Sequence, residues 1–388
     1  MEAELKRLSR RHFENVELPK PLKFDPQTLV YPYSHELAWL CTNYLRTPSR
    51  ILADLFETDA PRLESLFEDT SKWLKQADQK WFTDGMGISV RARDVADFPA
   101  SRSQIQGTVK NALIETAEHL DIELELVPEN PDILVSVRGG KGKLVVSIDL
   151  GGRSLHERGY RLHRVKAPIR ENIAAQILML ARWNPKSEIL IDPMCGSGTF
   201  LIEGVSMARA MKLWTNENRP LLDKLDNFSE FSRELPPLFE DTQPLVVGND
   251  LASRAVKCSK KNAHEAQVKG IRFQNSEFDE INIETIQELF EDEIDTSQGL
   301  IVCNPPYGAR FETDTVELYK RMGEWFGQFG AGWKAAVIVA NPEFDDFIPF
   351  KRTMKKPMAN ASLSAWLFLY DLGHPKQDEA PRYRRGRN

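Results

Sequence analysis

The sequence predicts an α/β chain in two parts: a Rossmann-like, mostly parallel sheet with a terminal antiparallel strand, preceded by an α+β module. Three observations predict it. Beyond about residue 187, short apolar runs (EILID, PLVVGND, GLIVC, AAVIVA) alternate with amphipathic helical segments, the rhythm of strands covered on both faces. Before residue 155 the strand-like runs GISVRARD, PDILVSVRG and KLVVSIDLGG flank one helical segment, and Gly139, Gly140 and Gly142 lie between the last two as in a hairpin. At 388 residues and 41% hydrophobic content, the chain is long enough for two or three cores.

Taken in order, LAWLCTNYLRTPSRILADLF places Leu37, Leu40, Cys41, Tyr44 and Leu45 on one stripe, so residues 37–67 read as helical, interrupted at Pro48. The strand GISVRARD, the helix SQIQGTVKNALIETAEHL and the two hairpin strands follow. A basic stretch, RSLHERGYRLHRVKAPIRE, leads into a helix from about Arg170 to Trp183. Leu213–Pro244, rich in proline and polar residues, reads as an insertion between the first two strand units. KKPMAN and SLSAWLFLYDL read as a closing antiparallel pair. The expected division is a lead-in over 1–67, an α+β module over 68–157, the parallel-sheet domain over 158–373, and a disordered basic tail over 374–388 that adds nonspecific affinity for nucleic acid.

Composition narrows the function classes. No apolar run approaches a bilayer span and the charged start MEAELKRLSRR precedes no signal-peptide core, so a cytoplasmic protein without a membrane partner is expected. The four cysteines, Cys41, Cys195, Cys258 and Cys303, are far apart with no histidine at ligand spacing; they are expected to be reduced thiols, with no metal site. A net charge of -6 gives no global attraction to nucleic acid, so any such binding rests on local patches.

In ILIDPMCGSGTFLIE a strand ends at Asp192, turns through Gly196 and Gly198, and enters a helix whose free N–H groups face the turn. A carboxylate at the strand end repels a pyrophosphate but binds an ammonium or hydroxyl. The spacing fits neither GxGxxG nor a P-loop. The ligand that fits is S-adenosylmethionine, and Asp250, ending the next strand, suits its ribose hydroxyls. As an alternative, Asp192 and Asp250 are helix caps.

GLIVCNPPYG ends a buried strand in two prolines, which cannot continue a ladder. If ligands bind outside the strand C-termini, Asn304 and Tyr307 share a crevice with Asp192 and Asp250. The Asn304 side-chain oxygen and the Pro305 carbonyl would each accept a hydrogen bond from an exocyclic amine, Pro306 would stiffen the backbone, and Tyr307 would stack on the ring.

The order DPMCGSGTFLIE, GND, NPPYG resembles the class I S-adenosylmethionine-dependent methyltransferases that modify amino nitrogens. The run LVVSIDLGGRSLHERGYRLHRVKAPIRENIAAQIL, with LRTPSRIL upstream, resembles the THUMP-domain RNA guanine-N2 methyltransferases, in particular their bacterial 23S rRNA branch. The resemblance implies that residues 68–157 are a THUMP RNA-binding domain and 1–67 a ferredoxin-like lead-in, in which MEAELKRLS matches the middle of the first helix. It also implies that Asp192, Pro193, Cys195, Gly196, Ser197, Gly198 and Thr199 line the methionine end of the cofactor. Asp250 takes the ribose, Glu277, with Asp279 as alternative, lies by the adenine, and Asn304 to Tyr307 hold the guanine, with Asn304 also at the cofactor. Arg158, Tyr160, Arg161, Arg164 and Lys166, clustered before the sheet domain, are expected RNA contacts, with Lys351, Arg352, Lys355 and Lys356 as a second basic group. A monomer is favoured. Competing functions are a tRNA guanine-N2 methyltransferase and a non-catalytic RNA-binding or ribosome-assembly factor.

Overall fold

The computed structural model describes residues 1–12, 18–24, 28–59, 62–77, 81–140, 142–163, 165, 168–214, 220–224, 235, 243–290, 294–306, 315–360 and 363–376. The chain forms two compact units, Met1–Arg158 with Lys212–Leu235, and Gly159–Met211 with Pro236–Asn388.

The first unit runs α1 (Glu2–His12), β1 (Lys23–Phe24), β2 (Leu29–Val30), α2 (His35–Tyr44), β3 (Leu52–Thr58), α3 (Leu63–Gln76), β4 (Met86–Arg93), α4 (Arg102–Glu118), β5 (Leu124–Leu126), β6 (Ile133–Gly140) and β7 (Lys143–Asp149). Its five-stranded sheet has the order β3-β7-β6-β4-β5. β4 is parallel to β5 and β6, whereas β6 with β7 and β7 with β3 are antiparallel, so the expected hairpin is present. Helix α4 starts at a capping box, in which the Ser101 hydroxyl accepts from Gln104 N (3.2 Å) and the Gln104 side chain accepts from Ser101 N (2.9 Å). It buries Ile105, Val109, Ala112, Leu113, Thr116 and Ala117 at helical spacing.

The helical reading of 37–67, interrupted at Pro48, is corrected over Leu52–Thr58. The stripe through Tyr44 is α2, but Leu52–Thr58 is a strand paired with β7 from Leu52↔Asp149 to Thr58↔Leu144. The cluster ILADLF fits either period, and pairing with the edge of β7 decides between them. The five-stranded sheet therefore begins before residue 68. The turn after α2 is held by buried Glu4, whose carboxylate accepts from Arg46 N (2.8 Å), Thr47 N (3.1 Å) and the Thr47 hydroxyl (2.7 Å). Part of the expected insertion also belongs here: Leu213 N donates to Asn43 O and Trp214 Nε1 to Thr42 O, both at 2.8 Å. Trp214 and Leu213 pack with buried Leu155.

The second unit runs α5 (Glu171–Leu180), β8 (Ile189–Asp192), α6 (Thr199–Ala208), β9 (Val246–Asn249), α7 (Ser253–Glu265), β10 (Ile271–Gln274), α8 (Ile283–Phe290), β11 (Gly299–Cys303), α9 (Thr315–Phe326), β12 (Trp333–Val339), β13 (Phe350–Asn360) and β14 (Leu363–Pro375). Its seven-stranded sheet has the order β10-β9-β8-β11-β12-β14-β13. Neighbours from β10 to β12 are parallel, and β14 is antiparallel to both β12 and β13. Successive residues point to opposite faces: Leu190, Leu300, Val302, Ala336, Ile338 and Leu367 enter the core under α5 and α6, whereas Ile191, Ile301, Cys303, Val337 and Phe368 enter the core containing α8 and α9 residues. From β8 the chain first winds outward to β9 and β10 and then returns to β11 on the other side. The order thus reverses at the β8/β11 pair, where open α/β sheets leave a crevice beyond the strand C-termini.

Candidate active site

The glycine turn leaves β8 at this crevice. Gly196 (φ +54°) and Gly198 (φ +80°) have left-handed backbones, and Gly198 occupies the N-cap of α6 without a side-chain bond. A Cβ at Gly198 would lie 3.0 Å from Ser259 Oγ and 3.4 Å from Ser259 Cα, so a side chain there would crowd α7. The turn is tied by Gly198 N to Cys195 O (2.7 Å), Cys195 N to Asn249 O (2.7 Å) and the Ser259 hydroxyl to Gly196 O (3.0 Å).

Both carboxylates of the sequence analysis border this turn. Asp192 is 2% exposed, and among the described residues its carboxylate receives one hydrogen bond, from Met194 N at 3.2 Å. Burial, with a contribution from the nearby Asp250 charge, pushes its pKa well above the usual carboxylate range. Asp250 is half-buried and accepts from Gly196 N (3.0 Å) and Ala252 N (2.9 Å). Neither aspartate is an N-cap, because Gly198 and Ala252 hold those positions in α6 and α7. Burial raises the Cys195 and Cys303 thiols well above their ordinary value, with Asp192 the next cause for each, so both remain protonated, small and apolar at neutral pH.

Asn304 follows β11 directly. The parallel register Ile301↔Ile191 sets Val302 level with Asp192, so Asn304 stands just beyond Asp192 on the neighbouring strand. Pro305 is buried and Pro306 half-buried. Tyr307 lies outside the described residues. Glycine turn, aspartate pair and the Asn304-Pro305-Pro306 run thus converge on the C-terminal edges of β8, β9 and β11.

A family model for the RMKL-like methyltransferase domain matches residues 158–367, more than half of the chain. The chain belongs to this family. A "Ribosomal RNA large subunit methyltransferase K/L" from Cellvibrio japonicus is 29% identical over 87% of this chain and 46% of that protein. Its counterpart from Hydrogenovibrio crunogenus is also 29% identical, over 92% of this chain and 51% of that one. The chain therefore spans about half the length of these curated relatives. Among solved structures, a possible methylase from Clostridium difficile 630 superposes with a TM-score of 0.76 at 25% identity, covering 97% of both chains. SMU.472, solved in complex with SAH, gives 0.70 at 24% identity and covers 95% of each. Both share the fold.

Within this RMKL-like domain, sequence reasoning missed Asn249. The side chain is fully buried at the end of β9; its Nδ2 donates to Pro193 O (3.1 Å) and Ser276 O (3.0 Å), and its Oδ1 accepts from Ser276 N (3.0 Å) and Ser276 Oγ (3.2 Å). One amide therefore joins the loops that follow β8, β9 and β10. The available signal was a polar residue ending the apolar run VVGN. Asn249→Ala should destabilise the domain by about 2–4 kcal/mol, read by urea unfolding, because several backbone groups lose their partner together.

Glu277 and Asp279 share one cation. Arg321 of α9 donates to Asp279 through Nη2 (2.6 Å) and Nε (3.0 Å), reaches Glu277 only at 3.3 Å, and lies 5.0 Å from the centre of the Phe278 ring. Glu277 is thus the less engaged acid.

The expected RNA contacts Arg158, Tyr160 and Arg161 turn inward instead, which corrects their assignment to the surface. Arg158 is 2% exposed and donates to Leu155 O and, at 2.7 Å, to Arg46 O. The Tyr160 hydroxyl is bonded to buried Glu203 (3.2 Å), and Arg161 donates to Ile169 O (2.7 Å) and the Glu171 carboxylate (2.8 Å). A buried guanidinium requires fixed acceptors, and local carbonyls supply them. Arg164 and Lys166 lie outside the described residues. The second basic group is exposed along β13, with Arg352 paired to Asp345 and Lys355 Nζ 5.1 Å from the centre of the Trp366 ring.

Proposed function

We propose that the chain is an S-adenosylmethionine-dependent RNA methyltransferase that modifies the exocyclic N2 amine of a guanine in large-subunit rRNA. The observation that carries this reading is the Asn304-Pro305-Pro306 run leaving β11 beside the Asp192 glycine turn. The names of the K/L relatives support the rRNA substrate. The five-stranded unit, read as a THUMP-type RNA-binding module, would present the target nucleotide in the cytoplasm.

The site fits the cofactor on its own chemistry. Asp192 is a buried carboxylate with a raised pKa, and an ammonium group is the partner that such a group lacks. The left-handed backbones of Gly196 and Gly198 shape the turn beside this carboxylate, Asp250 offers carboxylate oxygens to hydroxyls, and Glu277 lies farther along the same edge. When bound, the cofactor supplies an electrophilic methyl group. Asn304 Oδ1 and Pro305 O would each hold one amine proton, leaving the nitrogen lone pair directed out of the ring plane. Rate acceleration by such positioning reaches about 7–11 kcal/mol in favourable cases. A paired guanine hides this amine, so the target is unpaired or flipped out.

The test is methyl transfer from labelled S-adenosylmethionine to purified 23S rRNA, 16S rRNA and tRNA, followed by nucleoside mass spectrometry. N2-methylguanosine in 23S rRNA is the expected product. The same nucleoside in tRNA alone would favour the tRNA enzyme; no label in any RNA would overturn the reading in favour of a non-catalytic factor.

A further inference from the structure

Asn262, on the third turn of α7, is fully buried, and no motif of the active site contains it. Its amide makes three hydrogen bonds. Oδ1 accepts from His163 N (3.1 Å), and Nδ2 donates to His163 O (2.9 Å) and Ser197 O (3.0 Å). Towards His163 the side chain acts as a strand partner does, engaging both main-chain groups of one residue. Towards the turn it holds the carbonyl of Ser197, the residue between the two left-handed glycines.

Two further contacts show what this fastening does. Val165 Cγ2 lies 3.2 Å from the place a Cβ would occupy on Gly196, so the chain just past His163 packs directly on the turn. Arg161 anchors the other side through Ile169 O and Glu171. His163 and Val165 thus form a wall against the glycine turn, and Asn262 is the bolt between wall and turn.

We propose that Asn262 is a positioning residue for cofactor binding, fixing the Ser197 peptide and holding His163 and, through it, Val165 against Gly196. The proposal rests on the methyltransferase reading above. Its chemistry is specific to an amide, because an isosteric aspartate would present oxygens to two carbonyls and lose both donated bonds.

The experiment is calorimetric titration of the full chain with S-adenosylmethionine and with S-adenosylhomocysteine, alongside steady-state kinetics. Asn262→Asp is expected to weaken both ligands about tenfold or more and to raise KM for S-adenosylmethionine in parallel, while kcat at saturation stays within about threefold. A purely structural role would lower the melting temperature and the active fraction but leave Kd and KM of the folded molecules unchanged, and that result would overturn the proposal. Val165→Ala loosens the same wall from the other side without altering α7; it is expected to raise Kd severalfold, and it decides the matter if Asn262→Asp does not fold. Wild-type protein that binds neither ligand refutes the parent reading, whereas wild-type binding matched by the tested variants refutes only the role of Asn262.

Discussion

Asn304→Ala is expected to lower kcat about 10²–10³-fold while leaving the Kd for S-adenosylmethionine within a few-fold of wild type. The side chain stands beyond the end of β11, and its truncation leaves Asp192, the glycine turn and Asp250 in place. What is lost is one of two acceptors proposed to hold the amine protons, an interaction made with the nucleophile rather than with the methyl donor. Single-turnover transfer to RNA, together with calorimetry of cofactor binding, separates the two effects. Unchanged turnover would remove Asn304 from the proposed chemistry, and a matching loss of cofactor affinity would place its main contact on the donor.

The second large effect concerns Asp192. Its folded pKa is raised by burial above the ordinary aspartate value of about 3.9, so the unfolded chain releases this proton first as pH rises. The contribution to stability is therefore greatest below the unfolded pKa and is lost as pH rises from there to the raised folded pKa. Asp192→Asn keeps the shape and removes the titration. Without ligand at pH 7, the variant should melt about 2–6 °C higher than wild type, and the difference should shrink as pH falls toward 4. With S-adenosylmethionine present the order should reverse, because wild type gains a carboxylate partner for the ammonium and the variant does not; its affinity is expected to fall about 100-fold. Thermal melts across pH 4–8, with and without ligand, check both signs. A melting difference that does not vary with pH would show that Asp192 is not the titrating group.

These outcomes bear on what the sequence made legible. DPMCGSGT, GND and the Asn304-Pro305-Pro306 run could be placed because each is a strand end plus its loop, with chemistry written in consecutive residues. The parallel direction of the strands followed from the strand rhythm, whereas the order that sets β8 beside β11 did not. Asn249 and Asn262 were not legible, since each acts on loops far along the chain and becomes visible only once strand neighbours are known. Arg158 was misread for a related reason. Its sequence neighbours are basic and suggest a surface, but the carbonyls of Leu155 and Arg46 fold around its guanidinium. Leu52–Thr58 carried apolar residues compatible with helix or strand, and only the open edge of β7 made the choice.

The return of Lys212–Leu235 to the first unit means that the chain passes between the two units at residues 158/159, 211/212 and 235/236. During synthesis, the first unit cannot be completed until this segment has emerged, by which time β8 and α6 of the second are already outside the ribosome. The two units are thus interleaved in the order of synthesis. Cutting the chain at residue 158 would not yield two finished domains: the N-terminal piece would lack Leu213 and Trp214, and the C-terminal piece would carry their apolar surface exposed.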